Sequence, residues 1–291
     1  METHRVPVDG PVSLAVDLWP GGSGGPAFVL VHGLASNSRL WWRTATRLHQ
    51  LGHACASVDQ RGHGRSDKPD GGYTLDRACA DLSEVVSFLG RDVPGFGGPL
   101  VAAGQSWGGN VVLELGWRQP DMLAGVVGVD GGTLELSHRF ESWDECARAL
   151  APPRLAGTPL ADIEALLRRA HPHWPESGIG ATLGNFEVRA DGTVAPWLTF
   201  ERHMLLLRAL WEHHPTSRYP EIKVPVLLVP ADGGGADDFS AEKQRSVEEA
   251  VAAIPVAAAR WFSPADHDIH AQFPDELADM LHAEATGGLL A

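Results

Sequence analysis

A serine set between glycines is the residue of this sequence whose type and spacing best fit chemistry. The stretch Gly104-Gln-Ser106-Trp-Gly108 follows the apolar run 100–103 and precedes a segment with helical spacing. A serine in a sharp strand-to-helix turn presents its hydroxyl at the carboxyl end of a sheet, where open α/β sheets bind ligands. This arrangement predicts nucleophilic attack by the Ser106 oxygen on an acyl carbon.

The same G-x-S-x-G spacing occurs a second time, at Gly21-Gly-Ser23-Gly-Gly25. That copy lies in a glycine run that opens no helix, so it indicates a turn or linker between strands. A nucleophile of this kind needs a strand before it and a helix after it, and the context therefore favours Ser106. The alternative for Ser106 is an ordinary strand–helix turn without chemistry.

A serine hydroxyl needs a base to take its proton, and histidine suits because its pKa lies near working pH. The chain has 14 His, so their positions must select among them. His267 lies between the last predicted strand, 257–262, and the last predicted helix, 275–285. A loop there is expected to return over the carboxyl edge of the sheet. His270 is the nearest alternative.

An acid must hold the imidazole in the right tautomer and stabilise the imidazolium. Asp130 ends the apolar run 126–129 and stands directly against two glycines, whereas Asp232 follows the next predicted strand. We favour Asp130 for this role and keep Asp232 as the alternative. Asp237 and Asp238 are more remote candidates. Without chemistry, Asp130 would be a carboxylate that caps a turn.

The oxyanion that forms on attack needs preorganised N–H donors, each contributing about 3 kcal/mol in the transition state. The turn itself supplies the backbone N–H of Trp107, the residue after the nucleophile. The loop after His32-Gly33 supplies the second donor, which we assign to the backbone N–H of Leu34.

Charge and composition exclude several other classes of function. The formal net charge of −14 argues against binding to nucleic acid or to an anionic membrane surface. No apolar run approaches the roughly 18 residues of a spanning helix, and the start of the sequence lacks a signal-peptide pattern. Three widely spaced cysteines fit reduced thiols in a cytoplasmic protein. No H-E-x-x-H or other ligand spacing predicts a metal, and the chemistry requires no cofactor.

Apolar β-rich runs alternate with amphipathic segments of helical length, which predicts a parallel sheet with helices on both faces. The predicted strands are 12–19, 27–31, 54–58, 100–103, 126–129, 224–229 and 257–262. The predicted helices are 75–89 with Gly90 as the stop, 110–117, 160–170, 200–213, 240–253 and 275–285.

The alternation breaks once, between the strand that ends near Asp130 and the one that starts near Val224. About 90 residues separate them, and a structureless loop of that length is improbable. We therefore predict an inserted, mainly helical cap at 133–221. The α/β core is then formed by 1–132 and 222–291. Four of the ten Trp fall in the predicted cap, and we expect part of this aromatic excess to line an apolar pocket. We expect core packing for Trp19, Trp117 and Trp261.

Four segments in this order resemble the α/β-hydrolase fold superfamily over nearly the whole length outside the cap. They are Val31-His-Gly33, the D-x-R-G-x-G-x-S-like turn Asp59 to Ser66, the turn at Ser106, and Ala265-Asp-His267 followed by Pro274. The likeness is closest to capped members, which include small esterases, haloalkane dehalogenases and epoxide hydrolases. The last two normally carry Asp at the nucleophile position, so Ser106 argues against dehalogenation and epoxide opening.

The resemblance implies a triad of Ser106, Asp130 and His267, with His267 preferred to His270 by its spacing to Pro274. Family members more often take the acid after the later strand, but this chain departs from their Gly-x-x-Asp pattern at Asp232. The implied function is a serine hydrolase that cleaves a small or medium carboxylic ester or lactone through an acyl-enzyme. Thioester or carbon–carbon bond hydrolysis by the same residues is one alternative, and a non-catalytic ligand-binding protein on this fold is another.

Overall fold

The computed structural model describes residues 1–22, 24–234 and 238–291. Ser23 and Asp237 therefore lie outside the described residues, as does the side chain of Asp238. Within the described ranges the strands are β1 Glu2–Asp9, β2 Val12–Trp19, β3 Phe28–Val31, β4 Cys55–Val58, β5 Leu100–Gln105, β6 Leu123–Val129, β7 Phe186–Val188, β8 Val194–Pro196, β9 Val226–Val229 and β10 Ala257–Ala259.

The helices alternate with these strands and then accumulate between β6 and β9. They are α1 Trp42–Gln50, α2 Leu75–Asp92, α3 Trp107–Arg118, α4 Leu136–Arg139, α5 Trp143–Leu150, α6 Leu160–Ala170, α7 Glu176–Leu183, α8 Phe200–Trp211, α9 Asp238–Ala253, α10 Ile269–Gln272 and α11 Pro274–Gly287. Short 3₁₀ turns occur at Ser38–Trp41, Pro120–Met122, Pro215–Ser217 and Tyr219–Glu221.

In the described part of the chain, eight strands form one sheet in the order β1-β2-β4-β3-β5-β6-β9-β10. β1 pairs antiparallel with β2, and β2 pairs antiparallel with β4, whereas the pairs from β4 to β10 are parallel. This is the α/β-hydrolase fold that the sequence predicts. The carboxyl ends of the parallel strands meet at one edge, where the candidate site lies.

Hydrophobic residues cover both faces of the sheet, as expected for central strands that are continuously apolar. Along β3, Val29 and Val31 belong to the core under α2, α3 and α9, while Phe28 and Leu30 belong to the core under α1 and α11. The side-chain period of two therefore sends successive residues into opposite cores.

The segment between β6 and β9, where the sequence predicts the cap at 133–221, contains α4 to α8 and a separate hairpin of β7 and β8. It contacts the rest of the chain through specific bonds. The Asn37 side-chain amide donates to the Ala181 carbonyl at 2.9 Å, and the Arg202 guanidinium donates to the Lys68 carbonyl at 2.8 Å. Its division from the core at 133 and 221 stays a prediction.

Five details differ from the sequence predictions. β1 and the β7–β8 hairpin were not predicted, and α2 continues through Gly90 to Asp92. β10 ends at Ala259, although Phe262 forms an isolated bridge with Ala231. Trp261, expected in the core, is 41% exposed.

Candidate active site

Ser106 joins β5 to α3 in a left-handed backbone conformation. Its φ is 52° and its ψ is −120°, and its N–H donates to the Val129 carbonyl at 3.0 Å. Positive φ is uncommon for a residue that is not glycine. Ser106 therefore lies at the end of β5 and is hydrogen-bonded to the neighbouring strand β6, at the edge where the carboxyl ends of the parallel strands meet.

Close backbone packing explains the glycines on either side of Ser106. A Cβ at Gly104 would lie 2.1 Å from the Gly108 carbonyl oxygen, and one at Gly108 would lie 2.4 Å from the Val31 carbonyl oxygen. Both distances are far below van der Waals contact and both neighbours are backbone. The G-x-S-x-G pattern is therefore a steric requirement of this turn.

His267 and Asp130 lie in direct contact. The Nδ1 of His267 is 2.6 Å from Oδ2 of Asp130, with the histidine side chain 51% exposed and the aspartate side chain 3% exposed. A carboxylate can only accept, so Nδ1 carries the hydrogen and Nε2 is left as the basic nitrogen. The arrangement gives His267 the tautomer that a general base for Ser106 needs.

The pKa values of this pair are shifted in opposite directions. Partial burial lowers the pKa of His267, but the hydrogen bond to Asp130 and the charges of Asp268 and Asp130 outweigh it, so the pKa is raised. Burial raises the pKa of Asp130, but hydrogen bonds and charge from His267 and Lys243 outweigh it, so the pKa is lowered. Asp130 is thus held ionised beside a more basic imidazole.

Asp232, the alternative acid, has different partners. Its Oδ1 accepts from the Gly234 N–H at 2.9 Å and its Oδ2 accepts from the Ser263 hydroxyl at 2.9 Å. These bonds order the loop after β9. Among the described residues, Asp130 is the acid brought into contact with His267, and Asp232 is not.

His270, the alternative base, is buried within the fold. Its ring packs against Trp41 with centroids 4.6 Å apart, and burial lowers its pKa to about 3. Neither of its ring nitrogens has a hydrogen-bond partner among the described residues. His270 therefore fits a neutral packing residue better than a base at the edge of the sheet.

The two proposed oxyanion donors are the backbone N–H groups of Trp107 and Leu34. Trp107 is the first residue of α3, so its N–H has no partner within the helix. A Cβ built at Gly33 would lie 3.2 Å from the Cβ of Ser106, which places the loop leading to Leu34 directly beside the serine. The Trp107 indole is fully buried and donates to the Gln60 side chain at 3.0 Å, so this tryptophan reaches the site through its backbone.

Two contacts near the site have no sequence signal. The Gln105 side-chain amide donates to the His267 carbonyl at 3.3 Å, and the Lys243 ammonium contacts Asp130. Gln105 occupies the second position of G-x-S-x-G, where the pattern allows any residue. Lys243 lies in a helix rich in charged residues, and such a pattern usually indicates a solvent-exposed surface. Only the folded geometry shows that both support the His267–Asp130 pair.

The D-x-R-G-x-G-x-S-like turn shows structural bonds. The Asp59 carboxylate accepts from the Ser38 N–H at 2.7 Å and from the Arg65 N–H at 3.0 Å. Arg61 makes a double hydrogen bond to Asp81 at 2.8 and 2.9 Å. These partners order the turn.

A cavity of about 410 Å³ lies between the core and the inserted segment. Ala35 and Ser36, which follow Gly33 and Leu34 in the chain, line it, whereas Ser106 and His267 are not among its lining residues. Its walls also include the following residues of the inserted segment: Arg154, Leu155, Phe186, Arg189, Trp197 and Phe200. The volume falls in the range of small-molecule sites.

In the described ranges, no group of at least three His, Cys, Asp or Glu side chains is arranged to hold a metal ion. No helix in the same ranges is long and apolar enough to cross a membrane.

Comparison with known proteins gives one family match. A model described as the alpha/beta hydrolase family matches residues 28–280. A 2-(acetamidomethylene)succinate hydrolase of Mesorhizobium japonicum is 28% identical over 209 residues, which is 70% of each chain. Epoxide hydrolase B of Mycobacterium tuberculosis is 31% identical over 107 residues, which is 36% of this chain and 28% of that protein.

Solved structures share the fold over nearly the full length. The crystal structure of E-2-(acetamidomethylene)succinate hydrolase superimposes with a TM-score of 0.73 at 22% identity, covering 98% of both chains. The thioesterase domain from the curacin biosynthetic pathway gives a TM-score of 0.73 at 18% identity, covering 97% of this chain and 99% of that one.

Proposed function

The chain belongs to the alpha/beta hydrolase family, and from this membership we propose that it is a serine hydrolase that cleaves a carboxylic ester through an acyl-enzyme. The observation that carries the proposal is the 2.6 Å contact between His267 Nδ1 and Asp130 Oδ2. It lies at the same sheet edge as Ser106, whose left-handed turn is the one a nucleophile of this type requires.

The first half of the reaction forms the acyl-enzyme. The Ser106 oxygen attacks the acyl carbon while His267 Nε2 takes the hydroxyl proton, and Asp130 stabilises the imidazolium that results. The oxyanion accepts hydrogen bonds from the N–H groups of Leu34 and Trp107. The tetrahedral intermediate then collapses, and His267 returns the proton to the departing alkoxide, which leaves as an alcohol.

The second half repeats these steps with water as the nucleophile. His267 takes a proton from water, the hydroxide attacks the Ser106 ester, and the carboxylic acid leaves as the serine hydroxyl is restored. No cofactor takes part in this sequence.

The cavity supports a substrate that carries a carboxylate besides the bond to be cleaved. Arg154 and Arg189 both line it, against a single acid, Glu201. The Arg154 guanidinium stacks on the Phe200 ring at 4.0 Å, which leaves its hydrogen-bond donors free of the ring. The relative with 70% coverage is named for a succinate derivative. Apolar walls beside two arginines suit an acyl chain with an anionic end.

A pair of esters tests the substrate proposal. We expect p-nitrophenyl hydrogen adipate to be cleaved with a higher kcat/KM than p-nitrophenyl hexanoate, which has the same chain length without the carboxylate. Arg154→Gln and Arg189→Gln should each lower the ratio of kcat/KM for the adipate ester to kcat/KM for the hexanoate ester about tenfold, which is the effect of one lost charged hydrogen bond. Arg148→Gln, an exposed change on α5, should leave it unchanged. Equal kcat/KM for both esters in the wild type would refute the anionic substrate.

A fluorophosphonate probe tests the nucleophile. It should label the wild type and Ser177→Ala, an exposed serine on α7, but not Ser106→Ala. Labelling of Ser106→Ala at the wild-type rate would overturn the assignment of the nucleophile. No labelling of the wild type would favour the non-catalytic ligand-binding alternative.

Thioester hydrolysis is the second candidate, because one structural neighbour is a thioesterase domain. Matched oxygen and sulfur esters of the same acyl group distinguish the two. A kcat/KM ratio of more than about tenfold in favour of the thioester, as expected from differential transition-state binding, would move the assignment to that class. A substrate with a cleavable carbon–carbon bond tests the remaining alternative.

A further inference from the structure

The Asp130 carboxylate has a second cationic partner besides His267. The ammonium group of Lys243, on α9, is 2.8 Å from Oδ1 and 2.9 Å from Oδ2 of Asp130 and 2.9 Å from the Ala231 carbonyl oxygen. The Lys243 side chain is 20% exposed. A lysine thus bridges both oxygens of the acid and the end of β9.

These contacts complete the hydrogen bonding of Asp130. Oδ1 accepts from Lys243 and from the Ala231 N–H at 2.9 Å, while Oδ2 accepts from Lys243 and from His267. A carboxylate has about four acceptor positions, so its rotation is fixed from three directions. Lys243 and the Ala231 N–H therefore help to hold in place the carboxylate whose Oδ2 faces His267.

We propose that Lys243 is a positioning residue that both orients Asp130 and limits how strongly Asp130 stabilises the protonated imidazole of His267. The inference rests on the serine-hydrolase function proposed above. It adds a residue that no part of the G-x-S-x-G or triad pattern contains and that contacts both oxygens of the acid.

The charges around His267 determine whether each neighbouring group favours or opposes its protonated form. Asp130 at the end of β6 and Asp268 in the same loop favour the imidazolium, whereas Lys243 from α9 opposes it. Beyond Asp268, the further ionisable groups are His171 and Asp266, which lie close enough to act on Asp268. Lys243 is therefore the cation that offsets two carboxylates.

This offset matters because the pKa of His267 is already raised. A base with a still higher pKa would be protonated, and so inactive, over more of the range near neutral pH. By sharing the Asp130 charge, Lys243 favours the neutral imidazole before attack, while Asp130 still stabilises the imidazolium that forms during attack.

The pH dependence of kcat/KM on a p-nitrophenyl ester tests this role. In Lys243→Met we expect the pH midpoint of the acid limb to rise by about one unit, the shift typical of losing a charge at this range. Lys243→Arg, which keeps the charge, should retain the wild-type midpoint. Lys223→Met, an exposed lysine outside the site, is the control. A purely structural role would lower kcat without moving the midpoint, and that result would overturn the proposal.

A second measurement does not depend on turnover. Histidine side chains labelled with ¹⁵N are titrated by NMR in Ser106→Ala, with His267→Asn used to assign the His267 signals. Adding Lys243→Gln should raise the pKa of His267, and an unchanged pKa would refute the inference. Failure of the proposed function is recognised separately, as fluorophosphonate labelling or ester hydrolysis that Ser106→Ala does not abolish.

Discussion

The indole N–H of Trp174 donates to Oδ2 of Asp266 at 2.8 Å, so the inserted segment is bonded to the residue directly before His267. His171 stacks on the same indole with centroids 3.9 Å apart, and its Nδ1 is 3.2 Å from the same carboxylate oxygen. The loop that presents the proposed base is therefore anchored from the inserted segment as well as from the sheet.

Trp174→Phe should loosen this anchor. The ring remains to fill its site, but Asp266 loses an indole donor, which we expect to lower the free energy of unfolding by about 1 kcal/mol. The larger effect should fall on kcat, which we expect to decrease severalfold because His267 is less well placed. Trp211→Phe, whose indole bonds to the Phe140 carbonyl at 3.4 Å, is the control for removing a cap indole. Equal kcat values in the two variants would contradict the anchoring role.

The identity of the acid is tested by two amide substitutions. Asp130→Asn preserves the shape but allows the wrong tautomer of His267, so we expect kcat to fall about 10⁴-fold. Asp232→Asn should leave kcat within about twofold, because Asp232 bonds to Gly234 and Ser263 instead. Steady-state kinetics of both variants on one ester distinguishes the two acids. A collapse of kcat in Asp232→Asn alone would assign the acid to Asp232 instead of Asp130.

Buried neutral histidines should make the fold sensitive to acid. The pKa of His270 is about 3, against 6.5 for an ordinary histidine, because burial excludes the charged form. Between those two pH values the unfolded chain takes up a proton that the folded chain does not. The contribution of neutral His270 to the free energy of unfolding is therefore intact above pH 6.5. It falls by about 1.4 kcal/mol for each pH unit below that value.

Chemical denaturation at pH 7.5 and pH 5.0 measures this effect. His270→Phe removes the titrating group, so its loss of unfolding free energy between the two pH values should be about 2 kcal/mol smaller than that of the wild type. The comparison is made within each variant, so any packing change caused by Phe cancels. A loss of the same size in both proteins would refute the prediction.

The steric requirement of the turn is tested at Gly108. Gly108→Ala places a methyl group 2.4 Å from the Val31 carbonyl oxygen, and because backbone cannot move aside cheaply we expect a loss of at least 3 kcal/mol in the free energy of unfolding. Gly180→Ala, in α7 with no atom within 4 Å of the added carbon, is the matched control. It should stabilise the protein by up to about 1 kcal/mol through helix propensity. Equal effects of the two changes would refute the steric argument.

The sequence predicted the central strands and the turn at Ser106 because local pattern determines both. Continuous apolar runs mark β3, β5, β6 and β9, and the spacing of glycines marks the turn between β5 and α3. The hairpin of β7 and β8 was missed because strands of three residues are too short to show a period of two.

Contacts between distant parts of the chain lie beyond such patterns. Lys243 and Asp130 are separated by 113 positions, and Trp174 and Asp266 by 92, so nothing local links them. The choice between Asp130 and Asp232 rested on how each strand ends. The burial of His270 depends on which side of α10 faces Trp41. A helix of four residues is too short for its sequence to show which side is buried.

Among the described residues, the non-glycine positions with positive φ are Ala35, Ser106 and Asp130, and all three lie around the proposed site. Such a conformation costs about 1–3 kcal/mol for a residue with a Cβ, so the chain carries its backbone strain at one edge of the sheet. Replacing Ser106 by glycine should therefore stabilise the fold relative to Ser106→Ala while leaving no nucleophile. The residues around the proposed site thus occupy backbone conformations that lower the stability of the fold.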